Sequence, residues 1–324
     1  MKRLLCFIIV ILVLMTSFCS CSPEKKTEST RISIVTTIFP EYDFVMQILG
    51  EKKDNFDVTM LLDSGVDLHS FQPTVDDMVK ISDCDLFVYI GGESDEWVED
   101  TLKNSNNKNQ ISLNLMDTLK GILKEEETAE GMQEEKEENE EEENGTEYDE
   151  HIWLSLKNAV RICEALKEKI VLLDGKNKDI YENNTDEYIE KLNTLDKKFE
   201  DTVKMAKRKT LLFCDRFPFR YLTDDYNLSY YAAFKGCSAE SEASFETVNF
   251  LAEKIDELKL PYVLILEGSN KKIANTVINE SKNKNAQIIS INSMQSITDK
   301  ELENKTSYID IMNKNLEALK KALE

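Results

Sequence analysis

Two histidines, His69 and His151, are the only ones in the 324 residues of this sequence. His69 follows a strand-like run, in Asp67-Leu-His-Ser-Phe-Gln-Pro73, and His151 precedes a helical pattern, in Glu150-His-Ile-Trp-Leu-Ser155. Neutral imidazole is a preferred protein ligand of zinc, and two imidazoles from distant segments with a carboxylate can form a near-tetrahedral site. A lone histidine is more often a surface or capping residue, so the metal-site hypothesis requires that the fold brings both rings together.

The segments around His69 alternate between strand-like and helix-like patterns. β-branched and apolar runs predict buried parallel strands, and Thr74-Val-Asp-Asp77 is typical of a capping box at the start of a helix. Because parallel sheets bind ligands beyond the carboxyl ends of their strands, His69 lies where a ligand-binding residue is expected. The predicted strands cover 31–38, 56–62 and 85–91.

The second half of the chain repeats this alternation after two helical stretches. Apolar spacing predicts a helix from Leu156, then one long helix over 178–207, and further strands at 210–214, 228–234, 262–267 and 287–291. The fold class predicted is α/β: two lobes, each with a mainly parallel sheet flanked by helices, joined by one long rigid helix. The expected N-terminal lobe spans 31–177 and the C-terminal lobe 208–324.

The first residues are typical of a bacterial export signal. Lys2 and Arg3 precede an apolar run over 4–15, which is too short for a membrane-spanning helix of about 20 residues. Cys21, preceded by Ser20, is the expected lipidation site, with Cys19 as a less suitable competitor. We therefore predict a signal peptide over 1–20 and a flexible tether over 21–30, with the protein on the outer face of the cytoplasmic membrane.

Charge excludes one class of partner and marks one unusual segment. The formal net charge of −22 opposes binding to nucleic acid and to anionic lipid. Much of that charge lies within 124–149, where apolar residues are nearly absent, and this segment is predicted to be a disordered loop of the N-terminal lobe. Such a loop either attracts cations loosely or only solvates the surface, and the sequence favours neither.

The sequence contains no pattern typical of an enzyme. A helical His-Glu-x-x-His, a Gly-x-Ser-x-Gly elbow, a phosphate-binding Gly-Lys-Ser/Thr loop and a dinucleotide fingerprint are all absent. Cysteines are too sparse for a disulfide scaffold, although a Cys214–Cys237 bridge is possible outside the cell. We therefore expect a binding protein and not an enzyme.

Several segments resemble the metal-binding lipoproteins of bacterial ABC importers, the zinc- and manganese-specific solute-binding proteins. Asp67-Leu-His69 with Pro73 is similar to the family's first ligand loop, and Asp149-Glu-His-Ile-Trp-Leu154 to its second. Asp215-Arg-Phe-Pro-Phe-Arg-Tyr221 and Phe245-Glu-Thr247 resemble the C-terminal lobe of a branch of the family. The resemblance covers nearly all of the chain after the signal.

The resemblance implies the substrate-binding component of an importer, which captures zinc in the cleft between its lobes and delivers it to a membrane permease. Manganese is the alternative cargo, and an adhesin-like surface lipoprotein is the alternative role. The implied partners are an ABC permease and, through the lipid, the membrane, with the protein itself a monomer.

The resemblance also implies further ligands. The family's third ligand falls within Phe213-Cys-Asp-Arg-Phe217, where we expect Asp215, with Cys214 as the alternative. The two side chains point to opposite faces of a strand, so only one can enter the site. The family's fourth ligand falls near Asn292 and Ser293, and acidic substitutes for it are Glu240, Glu242 and Glu267.

Overall fold

The computed structural model describes residues 31–63, 65–133, 147–238 and 242–324. These residues contain two sheets of four parallel strands each, which confirms the predicted α/β class with two lobes. The first sheet has the order β2-β1-β3-β4 and the second the order β6-β5-β7-β8. Their strands are β1 Ile32–Thr36, β2 Phe56–Met60, β3 Leu86–Tyr89, β4 Ile111–Asn114, β5 Thr210–Phe217, β6 Ser229–Lys235, β7 Tyr262–Leu266 and β8 Gln287–Ile291.

Helices flank both sheets. The predicted capping box begins the second of them, since the hydroxyl of Thr74 accepts the N–H of Asp77 and the Asp77 carboxylate accepts the N–H of Thr74. The helices are α1 Phe39–Leu49, α2 Val75–Asp83, α3 Trp97–Lys103, α4 Leu115–Thr118, α5 Leu156–Leu173, α6 Lys178–Met205, α7 Arg220–Asp225, α8 Phe245–Leu258, α9 Lys272–Glu280, α10 Asp299–Glu303 and α11 Tyr308–Leu323.

The long helix α6 has 28 residues and lies between the two sheets in the sequence. Its apolar side chains recur every three or four residues, as in a helix with one buried face. The Tyr188 hydroxyl donates to Asp43 on α1, and the backbone N–H of Tyr308 on α11 donates to the same carboxylate. The first and last helices of the described chain are thereby tied together beside α6.

The ends of the acidic segment are ordered. Glu125 and Tyr148 form an isolated antiparallel bridge, and the N–H of Asp149 donates to the carbonyl of Lys124 at 2.8 Å. The prediction of disorder is therefore wrong for 124–133 and 147–149, because backbone pairing and contacts with the second lobe offset the polarity of these residues. Residues 134–146 lie outside the described part of the chain.

The predicted signal peptide, Cys21 and the tether also lie outside the described residues. Among the helices of the described residues, none combines the length and apolar character required to cross a membrane. The thiols of Cys214 and Cys237 are both free, so the possible bridge between them does not form.

Candidate metal centre

The loop of His69 is fixed by its own backbone and by the second sheet. Residues Leu68–Ser70 form a single 3-10 turn, and one carboxylate oxygen of Asp67 accepts the N–H of His69 at 3.1 Å. The other oxygen of Asp67 lies 2.8 Å from the guanidinium of Arg216 at the end of β5. His69 is therefore held beyond the carboxyl end of β2, where a parallel sheet presents its ligands.

His151 is buried just before the turn Ile152–Leu154. The indole N–H of Trp153 donates to the carbonyl of Ser293 at 2.8 Å, and the Tyr308 hydroxyl donates to the carbonyl of Trp153. Because Ser293 follows β8, the buried Trp153 ties the His151 segment directly to the loop of the second lobe.

The two predicted histidines meet. Nε2 of His69 and Nε2 of His151 are 3.2 Å apart, with the ring planes inclined at 63°. Two nitrogens bound to one tetrahedral zinc at about 2.0–2.1 Å are about 3.3–3.4 Å apart. The observed separation of the two nitrogens therefore matches a shared zinc ion closely.

Hydrogen bonds at the far side of each ring set its orientation. Nδ1 of His151 lies 3.0 Å from the carboxylate of Asp149, and Nδ1 of His69 lies 2.9 Å from the hydroxyl of Ser94. A carboxylate only accepts, so the Nδ1 of His151 carries the proton and its Nε2 presents a lone pair. Such outer partners are typical of metal-binding histidines, since they fix the tautomer.

Burial favours the uncharged form of His69. Burial lowers the pKa of His69 to about 3, and the neighbouring His151 contributes to the same direction. An imidazole with so low a pKa is neutral at physiological pH and leaves its nitrogen free to bind a metal.

Gln295, four residues after β8, reaches both rings from the second lobe. Its amide nitrogen lies 2.6 Å from Nε2 of His69 and 2.8 Å from Nε2 of His151. Its oxygen lies 3.0 Å from the hydroxyl of Ser293, which itself lies 2.6 Å from the carboxylate of Glu267. The hydroxyl has one proton and cannot donate to both oxygens.

A half-turn of the Gln295 amide removes this conflict. Its NH2 group then donates to Ser293, the Ser293 proton goes to Glu267, and the amide oxygen faces the two histidines. Nitrogen and oxygen of an amide exchange places in such a turn without any change of shape. In that orientation three electron-pair donors converge on one point, which is the arrangement that a cation requires.

Cys237 is the remaining donor near the histidines. Among the described residues, its sulfur and one nitrogen from each imidazole all lie within 4.8 Å of one another, and no carboxylate oxygen joins this group. Gly236 lies against the ring, since a Cβ at this position would lie 2.8 Å from Cε1 of His151. The thiol of Cys237 is half-buried, and burial together with Glu150 and Glu126 raises its pKa.

The other residues expected as ligands lie elsewhere. The carboxylate of Asp215 accepts the backbone N–H groups of Leu266 and Arg216, and Cys214 is buried in the apolar cluster of the second lobe, because neighbouring residues on a strand face opposite sides. Neither belongs to the group of donors around the histidines. Of the acidic substitutes, Glu267 binds Ser293 and Glu242 pairs with Lys272, while Glu240 lies outside the described residues.

Two residues of the centre were not assigned from the sequence. Gln295 lies two positions beyond the Asn292-Ser293 segment in which the fourth ligand was expected, and its position four residues after a predicted strand was the available signal. The prediction from the sequence includes Cys237 as a possible disulfide partner and not as a ligand. Its place directly after β6, beyond a strand's carboxyl end, marked it equally well as a ligand.

The fold defines a class of protein: a two-lobed α/β protein, in which the paired imidazoles of His69 and His151 form a candidate metal centre. Residues 34–322 match the family described as "Zinc-uptake complex component A periplasmic". The chain belongs to this family.

Curated relatives and solved structures agree with this membership. The chain is 33% identical over 322 residues to the high-affinity zinc uptake system protein ZnuA of Bacillus subtilis, covering 98% of this chain and 96% of the relative. It is 30% identical to the zinc-binding lipoprotein AdcA of Streptococcus pneumoniae, covering 96% of this chain but only 60% of that longer protein. The Zn(II)-bound ZnuA-like domain of the pneumococcal AdcA superimposes with a TM-score of 0.72 at 28% identity, over 90% of this chain and 99% of that domain.

Proposed function

We propose that this protein is an exported lipoprotein that captures zinc in the cleft between its lobes and delivers it to an ABC permease in the cytoplasmic membrane. The observation that carries the proposal is the 3.2 Å approach of the His69 and His151 Nε2 atoms. Relatives named as zinc-binding or zinc-uptake proteins support zinc as the cargo.

The donor set favours zinc over manganese. Two imidazole nitrogens suit zinc, whereas manganese prefers a shell of carboxylate, carbonyl and water oxygens. The stability order of divalent metals on a given site also places zinc above manganese. Manganese remains the alternative cargo only where it is in large excess.

Capture and release require that the lobes move relative to each other. Contacts that would break on opening are the ion pair between Asp67 and Arg216 and the close approach of the Gln295 amide to the two histidines. The long helix α6 and the buried Trp153 contacts limit the movement to a small tilt. A loaded, closed form then differs in shape from the empty one, which gives a permease a surface to recognise.

The proposed location of the protein at the membrane rests on its N-terminal residues. Cleavage before Cys21 leaves a lipid on this cysteine and holds the protein at the outer face of the cytoplasmic membrane, with 21–30 as a tether. A protein tethered in this way meets its permease without diffusing away, and we expect it to act as a monomer.

Zinc titration in competition with a chromophoric chelator tests the proposal. His69→Ala and His151→Ala should each weaken zinc binding by at least about 100-fold, since loss of an outer partner alone costs about 10- to 100-fold. Lys103→Ala, on an exposed position of α3, is the control and should bind like the unchanged protein. Unchanged affinity in both histidine variants, with all variants folded, would refute the proposal.

A further inference from the structure

The centre has donors but little negative charge. Imidazole and amide ligands do not offset the charge of a divalent cation, whereas protein zinc sites commonly include a thiolate or carboxylate. In the described part of the chain, the donor group around His69 and His151 includes no carboxylate, and the one ionisable partner is Cys237. The site therefore lacks an anionic ligand unless the sulfur supplies it.

The position of Cys237 suits this role. A tetrahedral zinc with Zn–S of about 2.3 Å and Zn–N of about 2.0–2.1 Å places sulfur and nitrogen about 3.5 Å apart. The three donor atoms lie within 4.8 Å of one another, so the sulfur must approach the nitrogens by up to about 1.3 Å. A rotation of the Cys237 side chain, which lies in the turn after β6, can supply that movement.

The neighbours of Cys237 hold its backbone close to the two histidines. Its N–H lies 3.5 Å from the Glu126 carboxylate, which also pairs with Lys235 at 3.8 Å. Gly236 packs on the His151 ring because it has no side chain. The backbone that presents Cys237 is therefore in direct contact with one of the two histidines.

We propose that Cys237 binds the captured zinc as a thiolate, completing with His69, His151 and the Gln295 oxygen a site of two nitrogens, one sulfur and one oxygen. This assignment rests on the proposed function of zinc capture. On binding, the S–H bond of Cys237 breaks, its electron pair forms the Zn–S bond, and the proton leaves to solvent. The soft sulfur makes the site selective for zinc, cadmium and cobalt against manganese.

Cobalt(II) substitution gives a direct readout of the sulfur. The cobalt complex of the unchanged protein should show a near-ultraviolet sulfur-to-cobalt charge-transfer band, and Cys237→Ser should lose this band. The same variant should bind zinc at least about 10-fold more weakly, since loss of an outer partner alone costs about 10- to 100-fold and serine replaces the sulfur only with a weaker oxygen donor. Cys214→Ala is the matched control, because Cys214 is a buried thiol of the same lobe outside the donor group, and it should retain both the band and the affinity.

Manganese titration provides a second readout, since removal of the sulfur should narrow the difference between zinc and manganese affinities. Thermal melting of each metal-free variant shows that it is folded. If the unchanged protein binds zinc and cobalt without a charge-transfer band and Cys237→Ser binds zinc equally well, the assignment of Cys237 is overturned while zinc capture stands. If the unchanged protein binds neither metal, the proposed function itself fails.

Discussion

The guanidinium of Arg216 lies 2.8 Å from the carboxylate of Asp67, so an ion pair from β5 reaches the loop that holds His69. Burial alone would raise the pKa of Asp67, but the hydrogen bond and charge of Arg216 hold it below its usual value. The same guanidinium helps to lower the pKa of His69, after burial and His151. Arg216 therefore places a positive potential at His69, a proposed metal ligand, and Asp67 offsets it.

Two substitutions distinguish this electrostatic effect from a purely mechanical role, in which the Asp67–Arg216 ion pair only holds the lobes closed. Arg216→Gln removes a positive charge beside the centre and should tighten zinc binding by roughly tenfold, whereas Asp67→Asn leaves the guanidinium unbalanced and should weaken it by a similar factor. Chelator competition at low and high salt measures both, and salt should reduce both effects. If the ion pair only held the lobes closed, both variants would bind zinc more weakly. That result would contradict the electrostatic account.

Gln295 offers a neutral oxygen where a charged one would bind zinc more strongly. Gln295→Glu keeps the length of the side chain and adds a negative charge next to His69 and His151, so we expect zinc affinity to rise by roughly tenfold or more. Gln295→Leu, of similar size without a donor atom, should weaken binding. Equal affinity in all three proteins would show that the side chain at 295 does not contact the metal.

The sequence predicted the lobes better than the centre. Strands such as β1 and β7 are apolar runs with β-branched residues, whose burial is evident from composition, and the single-faced apolar spacing of α6 extends over its full length. Strand β4, Ile111–Asn114, was not predicted, because four residues within a polar stretch carry too little pattern. The segment forms a strand because its backbone pairs in parallel with β3, from Leu86 with Ile111 to Tyr89 with Asn114.

The two histidines were predictable because they are rare and lie in loops after or before regular elements. The remaining donors were not predictable, since their positions depend on the conformation of loops in the second lobe. Asp215 and Cys214 lie on β5 close in sequence to the expected position, but their side chains are directed to Leu266 and to the apolar core. Loop residues beyond β6 and β8 reach the centre instead, and their direction depends on tertiary contacts such as that of Trp153 with Ser293.

Asp95 makes the stability of the metal-free protein depend on pH. Burial raises its pKa from the usual 3.8 to about 7, although the N–H of Gly91 bonds to the carboxylate. Between pH of about 4 and 7 the folded protein therefore holds a proton that the unfolded chain has released, and the free energy of unfolding falls as the pH rises through this window.

Asp95→Asn should remove this dependence while keeping an oxygen for the Gly91 N–H. We expect the metal-free variant to be more stable than the unchanged protein at pH 7.5, by at most about 4 kcal/mol, with the gain disappearing near pH 4. Urea denaturation in the presence of a chelator measures this at both pH values. Asp100→Asn, at an exposed position on α3, should show no such gain, and equal behaviour of the two variants would contradict the role of burial.

Gly236 tests how closely the two lobes must approach. A Cβ at this position would lie 2.8 Å from Cε1 of His151 and 3.0 Å from the carbonyl oxygen of Phe217, so either the ring or the turn must shift. Gly236→Ala should weaken zinc binding by about tenfold, and the added strain should lower the free energy of unfolding by about 1–3 kcal/mol.

Gly175→Ala is the matched control, because a Cβ there meets nothing within 4 Å. It should leave zinc affinity unchanged, so that a loss seen only in Gly236→Ala reflects the contact with His151 and not the loss of a glycine. If Gly236→Ala binds zinc as tightly as the control, the turn after β6 has room to move away from the ring. The position of His151 would then be set by its other contacts, chiefly the Asp149 carboxylate at Nδ1 and the anchoring of the neighbouring Trp153.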